Sequence, residues 1–100
     1  MELNYYQSEA KKTAIYPKDK GIEYCSIALA GEVGETLNII KKSIRDDNGV
    51  ISKEKQEELT LELGDCLWYL ASLSSELGLS LNIIADKNLE KLAKKVKKEI

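Results

Sequence analysis

The stretch Ala28-Leu-Ala-Gly-Glu-Val-Gly-Glu-Thr-Leu-Asn-Ile-Ile40 decides the reading of this chain, because its pattern returns 30 residues later as Glu58-Leu-Thr-Leu-Glu-Leu-Gly-Asp-Cys-Leu-Trp-Tyr-Leu70. Leu29 matches Leu59, Glu32 matches Glu62 and Val33 matches Leu63. Gly34 matches Gly64, Glu35 matches Asp65, Leu37 matches Leu67 and Ile40 matches Leu70. Each copy sits in a longer pattern of helical period. One row is Ile22, Ser26, Leu29, Val33, Leu37, Ile40 and Ile44; the other is Leu59, Leu63, Cys66, Leu70, Leu73 and Leu77. Arg45-Asp46-Asp47-Asn48-Gly49 is a loop of turn formers between them. Two antiparallel helices that carry one pattern twice are related by a local pseudo-two-fold, so their carboxylates occupy matching positions.

Working outward, the pattern predicts four helices. The first runs from Leu3 to Ile15 and stops before Pro17, since the residue preceding a proline is pushed out of the α region. The second spans Gly21 to Ile44. The third starts from Ser52 as N-cap and ends at Gly78, where a left-handed residue belongs. The fourth is capped by Ser80 and carries Leu81, Ile84, Ala85, Leu89, Leu92 and Val96 on its apolar side. Six glycines and one proline are too few turn signals for an all-β domain. The expected fold is all-α, a compact antiparallel helical bundle of about four helices. The 100 residues read as a single domain over positions 1–100.

Composition closes off several functions. Apolar residues make up 43% and charged residues 32%, which excludes disorder and a membrane protein. No apolar run approaches the roughly 18 residues of a membrane span. Met1-Glu2-Leu3-Asn4-Tyr5 lacks the basic and apolar regions of a signal peptide. Cys25 and Cys66 match no zinc spacing and read as reduced core thiols, so a cytoplasmic protein is expected. The chain has no histidine, which removes Ser-His and Cys-His chemistry and imidazole ligation of metals. Lys87, Lys91, Lys94, Lys95, Lys97 and Lys98 cluster on the last helix. With a net charge of −2 and no interleaved aromatics, they read as a solvated helix end, and no nucleic-acid partner is expected.

Chemistry must come from carboxylates, lysines and a borrowed metal. Glu32 and Glu35 are three apart and project within about 60° of each other, on one flank of the Leu29/Val33/Leu37 row. Glu62 and Asp65 hold the equivalent flank of the second row. Gly34 and Gly64 each weaken a helix by about 1 kcal/mol relative to alanine, which points to close approach or to space beside a site. At 4 Å and an effective dielectric near 20, each like-charge contact costs roughly 4 kcal/mol. Such a cluster needs protons, a lysine or a divalent cation, and all-oxygen ligation suits Mg²⁺, with Mn²⁺ possible.

Glu32-Val-Gly-Glu35 followed by Glu62-Leu-Gly-Asp65 resembles the paired acidic signature of the MazG-type all-α nucleoside triphosphate pyrophosphohydrolases. Asp65-Cys-Leu-Trp-Tyr-Leu70 and Lys87-Asn-Leu-Glu-Lys-Leu92 are similar to that family's later segments. The likeness runs from Tyr6-Gln7 to about Leu92. It implies hydrolysis of a nucleoside triphosphate between the α and β phosphates, by a homodimer or homotetramer. It implies that Glu32, Glu35, Glu62 and Asp65 hold Mg²⁺, with Glu32 or Glu35 also taking the proton of the attacking water. It implies substrate contacts from Asn88 and Lys91, and from Lys41 or Lys42, of which Lys42 lies nearer the acidic flank. Tyr69 falls on that flank and is placed to stack on a base or sugar, whereas Trp68 is rotated towards core or interface. Two other readings compete: a related enzyme acting on phosphoribosyl-ATP or dUTP, and a non-catalytic helical module whose acidic face is merely solvated.

Overall fold

The computed structural model describes the backbone of residues 1–99 and the side chains up to Lys97; the side chain of Lys98, last of the basic run, lies outside the described residues. Helix α1 is Leu3–Lys11, α2 is Gly21–Asp46, α3 is Lys53–Glu76 and α4 is Leu81–Glu99, with a single 3-10 turn at Lys18–Lys20 before α2. No strand occurs among the described residues. The all-α class and the four helices stand as expected.

The helix ends reflect local chemistry. Ser52 caps α3 by accepting the Lys55 N–H at 3.2 Å. Gly78 takes φ +71, its N–H reaches Ser75 O at 3.1 Å and the Leu79 N–H reaches Ser74 O at 2.8 Å. That pair of bonds is the Schellman arrangement, which closes α3. Asn48 and Gly49 both adopt positive φ in the α2–α3 loop, and the Gly49 N–H caps Ser43 O at 3.0 Å. Helix α1 is shorter than the Leu3–Ile15 expected. The Thr13 hydroxyl donates to Ala10 O at 2.8 Å and receives the Trp68 indole N–H at 2.8 Å, so α3 holds the chain in a turn where α1 would have continued.

Helices α2 and α3 form an antiparallel hairpin, and α1 lies along α3. The seam between α2 and α3 differs from the expected leucine rows. Cys25, Thr36 and Ser43 are buried on α2, with Leu29, Glu32 and Ile39 half-buried between them. On α3 the matching positions Leu59, Glu62, Cys66, Tyr69 and Leu73 are half-buried. The α2 seam keeps Leu29 of the expected Ile22/Ser26/Leu29/Val33/Leu37/Ile40/Ile44 row and is otherwise rotated one residue, about 100°, from it, while Leu59, Cys66 and Leu73 of the expected α3 row do lie in the seam. Val33, Leu37, Ile40 and Ile44 are exposed instead, as are Leu63, Leu67 and Leu70. Small side chains win the seam because they let two helices approach closely; Thr36 Oγ1 meets Cys66 Sγ at 3.6 Å. These two residues are 30 apart and match in the repeat, as residues beside a local two-fold must.

The buried apolar core is small: Ala10, Tyr16, Cys25, Ala71 and Leu81, with Tyr6 and Trp68 packed against it. Cys25 is thus a core thiol as expected, while Cys66 is only half-buried; both are free. The compact bundle expected from the short connections is not formed. The radius of gyration is 16.4 Å, against about 13 Å for a compact chain of this length. The cause is α4, which rests on α1 and does not pack along α2 or α3 among the described residues. From Asp86 to Lys97 every side chain is exposed.

Glycine has two different uses here. At Gly21, the buried first residue of α2, an added Cβ would collide with the Glu76 carboxylate, which accepts the Tyr16 hydroxyl at 2.8 Å. At Gly34 and Gly64 an added Cβ would meet nothing within 4 Å, so the close approach expected there is not made within the chain. Gly21→Ala should therefore destabilise the fold by about 1–3 kcal/mol, and Gly34→Ala should stabilise the isolated chain by up to about 1 kcal/mol. Urea titrations of the two variants read both signs; a neutral Gly21→Ala would remove the Glu76 contact as a structural element.

Candidate metal centre

The rotated seam changes where the acidic residues stand. Glu32 and Glu62 lie in the α2–α3 interface itself, one turn before Thr36 and Cys66 respectively, and both are half-buried. Each has one carboxylate oxygen, Oε2, that is shielded from solvent and has no hydrogen-bond partner. Glu35, a turn along α2, is exposed and points back to them. One carboxylate oxygen from each of Glu32, Glu35 and Glu62 lies within 4.8 Å of the others. Asp65 stands outside this trio, but its charge acts on both Glu32 and Glu62.

The electrostatics result from that crowding. Burial pushes the Glu32 carboxyl up from its ordinary value, and the charges of Glu35, Asp65 and Glu62 push it further. Burial likewise raises Glu62, followed by Glu35 and Asp65. Glu35 is within hydrogen-bonding reach of both. Three converging carboxylates with two shielded oxygens that no donor reaches among the described residues fit a divalent cation with oxygen ligands. Glu32 and Glu62 are half-buried, whereas Glu35 and Asp65 are exposed.

The other expected site residues divide between the centre and its surroundings. Tyr69 borders the centre: burial raises its phenol, and Tyr24 and Glu32 add to this. Its ring meets Trp68 edge-on at 4.9 Å, and Trp68 meets Tyr16 edge-on at 6.3 Å. Tyr24 stacks on Tyr16 at 5.7 Å, so four aromatic rings form one cluster beside the acidic seam. Lys42 is exposed, and its charge acts on Asp46, one turn further along α2. Asn88 and Lys91 are exposed on α4, which does not pack along the helices that carry the carboxylates. Within the chain, these three are not brought to the centre.

One neighbour was not legible in the sequence. Tyr6 of α1 is half-buried; burial raises its phenol and the charge of Asp65 raises it further. Helix α1 thus supplies part of the wall on the Asp65 side. The only sequence hint was position, because Tyr6 lies one turn before Ala10, the α1 residue that enters the core.

Comparison with known proteins agrees with this architecture. The chain is 41% identical over 98 residues to the Gene 37 protein of Mycobacterium phage L5, a match that covers 92% of this chain and 86% of that protein. No solved structure gives a significant match. No helix among the described residues is long and apolar enough to cross a membrane. Residues 21–99, which contain the whole acidic seam and α4, match the MazG nucleotide pyrophosphohydrolase domain, and the chain belongs to that family.

Proposed function

We propose that this chain hydrolyses a nucleoside triphosphate between the α and β phosphates, giving a monophosphate and pyrophosphate, with Mg²⁺ at the acidic seam. The observation that carries the reading is the convergence of Glu32, Glu35 and Glu62 with two shielded, unpartnered oxygens. Glu32, Glu35, Glu62 and Asp65 would hold the cation, which supplies charge neutralisation for the phosphates and a lower pKa for a reacting water. Glu35 is the exposed member of the trio and is placed to take the proton of the attacking water as the bond between the α phosphorus and its bridging oxygen breaks. Glu32 and Glu62 are fixed in the seam and hold the geometry. Tyr69, beside Glu32, offers a ring for the base or sugar. Phosphoryl chemistry needs positioning and charge compensation more than covalent catalysis, and this constellation offers both.

The same reading calls for a second copy of the chain. Val33, Leu37, Ile40 and Ile44 line up with Leu63, Leu67 and Leu70 on one face of the hairpin, because residues related by the pseudo-two-fold share a face. Gly34 and Gly64 leave open space beside that row. Asn88 and Lys91 do not reach the carboxylates of their own chain, so a homodimer or homotetramer would bring this edge from a neighbouring α4.

Three outcomes test the proposal. The first concerns metal and pH. The folded-state values of Glu32 and Glu62 lie above the ordinary 4.5, so in the metal-free chain these two groups contribute stability that is fully present below that pH. Their contribution is lost as pH rises through the raised values. Mg²⁺ binds the ionised form and should reverse that slope, raising Tm by several degrees near pH 7. Glu62→Gln should raise Tm without metal, abolish the Mg²⁺ response and abolish pyrophosphate release; full turnover in EDTA would refute the metal role. The second concerns assembly: light scattering at micromolar concentration should give twice the chain mass or more, and Leu37→Lys should lower it. The third compares two lysines. Lys91→Ala should cut kcat/KM by about ten-fold, the scale of one charge-assisted contact, whereas Lys97→Ala should leave it within about two-fold. Equal values for the two variants would remove Lys91 from the site.

A further inference from the structure

The first turn of α4 is not capped from its own helix alone. An α-helix begins with N–H groups that have no intrahelical partner. Here the Leu81 N–H donates to Gln7 Oε1 at 2.9 Å and the Asn82 N–H donates to Asn4 Oδ1 at 3.1 Å. Ser80, the expected cap, accepts the Ile83 N–H only at 3.4 Å and spends its own proton on Asn4 Oδ1 at 2.8 Å. Gln7 Nε2 donates twice more, to Leu79 O at 2.8 Å and to Ser75 Oγ at 3.1 Å. The Asn82 side chain returns to α1 by donating to Glu2 Oε1 at 2.7 Å.

Gln7 therefore uses both ends of its amide across the joint between α3 and α4, and it is half-buried there. The joint itself contains Gly78 at φ +71, whose conformation closes α3 but does not by itself set the direction of α4. Beyond Leu81, Asn82 and Ala85, the described side chains of α4 are exposed, so no apolar contact further along fixes the angle of the helix within the chain. Leu81 seats the start of α4 against Ala10 and Ala71, and the polar contacts from α1 are what orient the helix about that seat.

We infer that Gln7, assisted by Asn4, is a positioning residue: it aims α4, and through α4 it places the Asn88–Lys91 edge for the triphosphate. The second half of this statement rests on the function proposed above; the first half does not. Glutamine suits the task because one amide both accepts the helix N–H and donates to the preceding carbonyl. Alanine can do neither, and glutamate keeps only the acceptor.

The test uses the full chain and two readouts, hydrogen–deuterium exchange by helix and steady-state kinetics on the triphosphate that the wild type turns over best. In Gln7→Ala, exchange in α4 should quicken by about ten-fold or more while α2 and α3 stay within about two-fold of wild type. KM should rise several-fold with kcat held within about two-fold, because substrate contacts are misplaced while the carboxylates are untouched. Gln7→Glu should fall between the two. If Gln7→Ala does not fold, Asn4→Ala, which removes only the Ser80 and Asn82 contacts, should show the same pattern at smaller amplitude. Unchanged exchange in α4, or a parallel rise in α2 and α3, would overturn the aiming role. Loosened α4 with an unchanged KM would overturn the positioning role. A wild-type chain that cleaves no triphosphate would remove the proposed function, and the exchange data would still decide whether Gln7 aims α4.

Discussion

The constraint on which the rest of this structure depends is the presence of Glu32 and Glu62 inside the α2–α3 seam. A carboxylate between two helices costs free energy unless it is paired. Here two are placed there, each with a shielded oxygen that no donor reaches. Burial and like charge both raise their proton affinity, so in the absence of a cation the fold opposes its own ionisation. A helix hairpin whose sole task was stability would place leucines at these positions, and the chain has leucines one residue away at Leu61 and Leu63. Placing the glutamates inward and the leucines outward is destabilising for the isolated protomer. A divalent cation in the seam and an apolar surface over the outer face, as proposed above, would make both departures favourable.

Much of the architecture was legible in the residues. The turn formers of Arg45-Asp46-Asp47-Asn48-Gly49, whose first two residues the structure places in the last turn of α2, the Ser52 cap and the left-handed Gly78 mark the ends of α2 and α3, because each acts through its own backbone. The repeat at an offset of 30 is also a local property, and the Thr36–Cys66 contact bears it out. What the pattern missed is tertiary. Hydrophobic periodicity reports the widest apolar face of a helix, not which face meets its neighbour. Along α2 the widest face is Val33/Leu37/Ile40/Ile44, while the neighbour is met through Cys25, Thr36 and Ser43. Small and hydroxylated residues carry little weight in an apolar pattern, so Thr36 and Ser43 escaped that measure, although Leu29, Leu59, Cys66 and Leu73 of the seam were in the expected rows. The start of α4 depends on remote residues for a similar reason, since its first N–H groups are taken up by side-chain amides some 70 residues away in the chain and Leu81 packs against Ala10 and Ala71. The early end of α1 depends on the Trp68 indole, equally remote.

The repeat names the acidic residues, and the fold brings Glu32, Glu35 and Glu62 together, but their inequality is not visible in it. The repeat treats Glu32 and Glu62 as equivalent, and the structure agrees: both are half-buried, and both have a lone oxygen without a partner. It also pairs Glu35 with Asp65, and here symmetry fails. Glu35 joins the trio, while Asp65, one methylene shorter, remains outside it and faces Tyr6. The exact two-fold is broken by side-chain length and by α1, which lies along α3 and has no counterpart along α2. Glu35 and Asp65 are both exposed, and the two ends of the acidic cluster differ in side-chain length and in the nearness of Tyr6 to Asp65.

The small residues of the seam and the carboxylates are parts of one solution. Glutamate oxygens from two helices meet within 4.8 Å only if the helices approach closely. Helix axes separate to about 8–10 Å according to the side chains at the contact, with small ones at the lower end. Thr36 and Cys66 meet at the local two-fold, one turn from Glu32 and Glu62 on their own helices. The Thr36 hydroxyl is satisfied by Glu32 O at 2.9 Å, so its polarity costs little when buried. Ser43 and Ser74 bond in the same way to the carbonyls of Ile39 and Leu70. Such back-bonded hydroxyls are compact, satisfied and no larger than a valine. Leucine at position 36 or 66 would bury more apolar surface and force the helices apart, and the two glutamates would then reach solvent instead of each other. The weak core of this protomer is thus the condition under which its carboxylates converge.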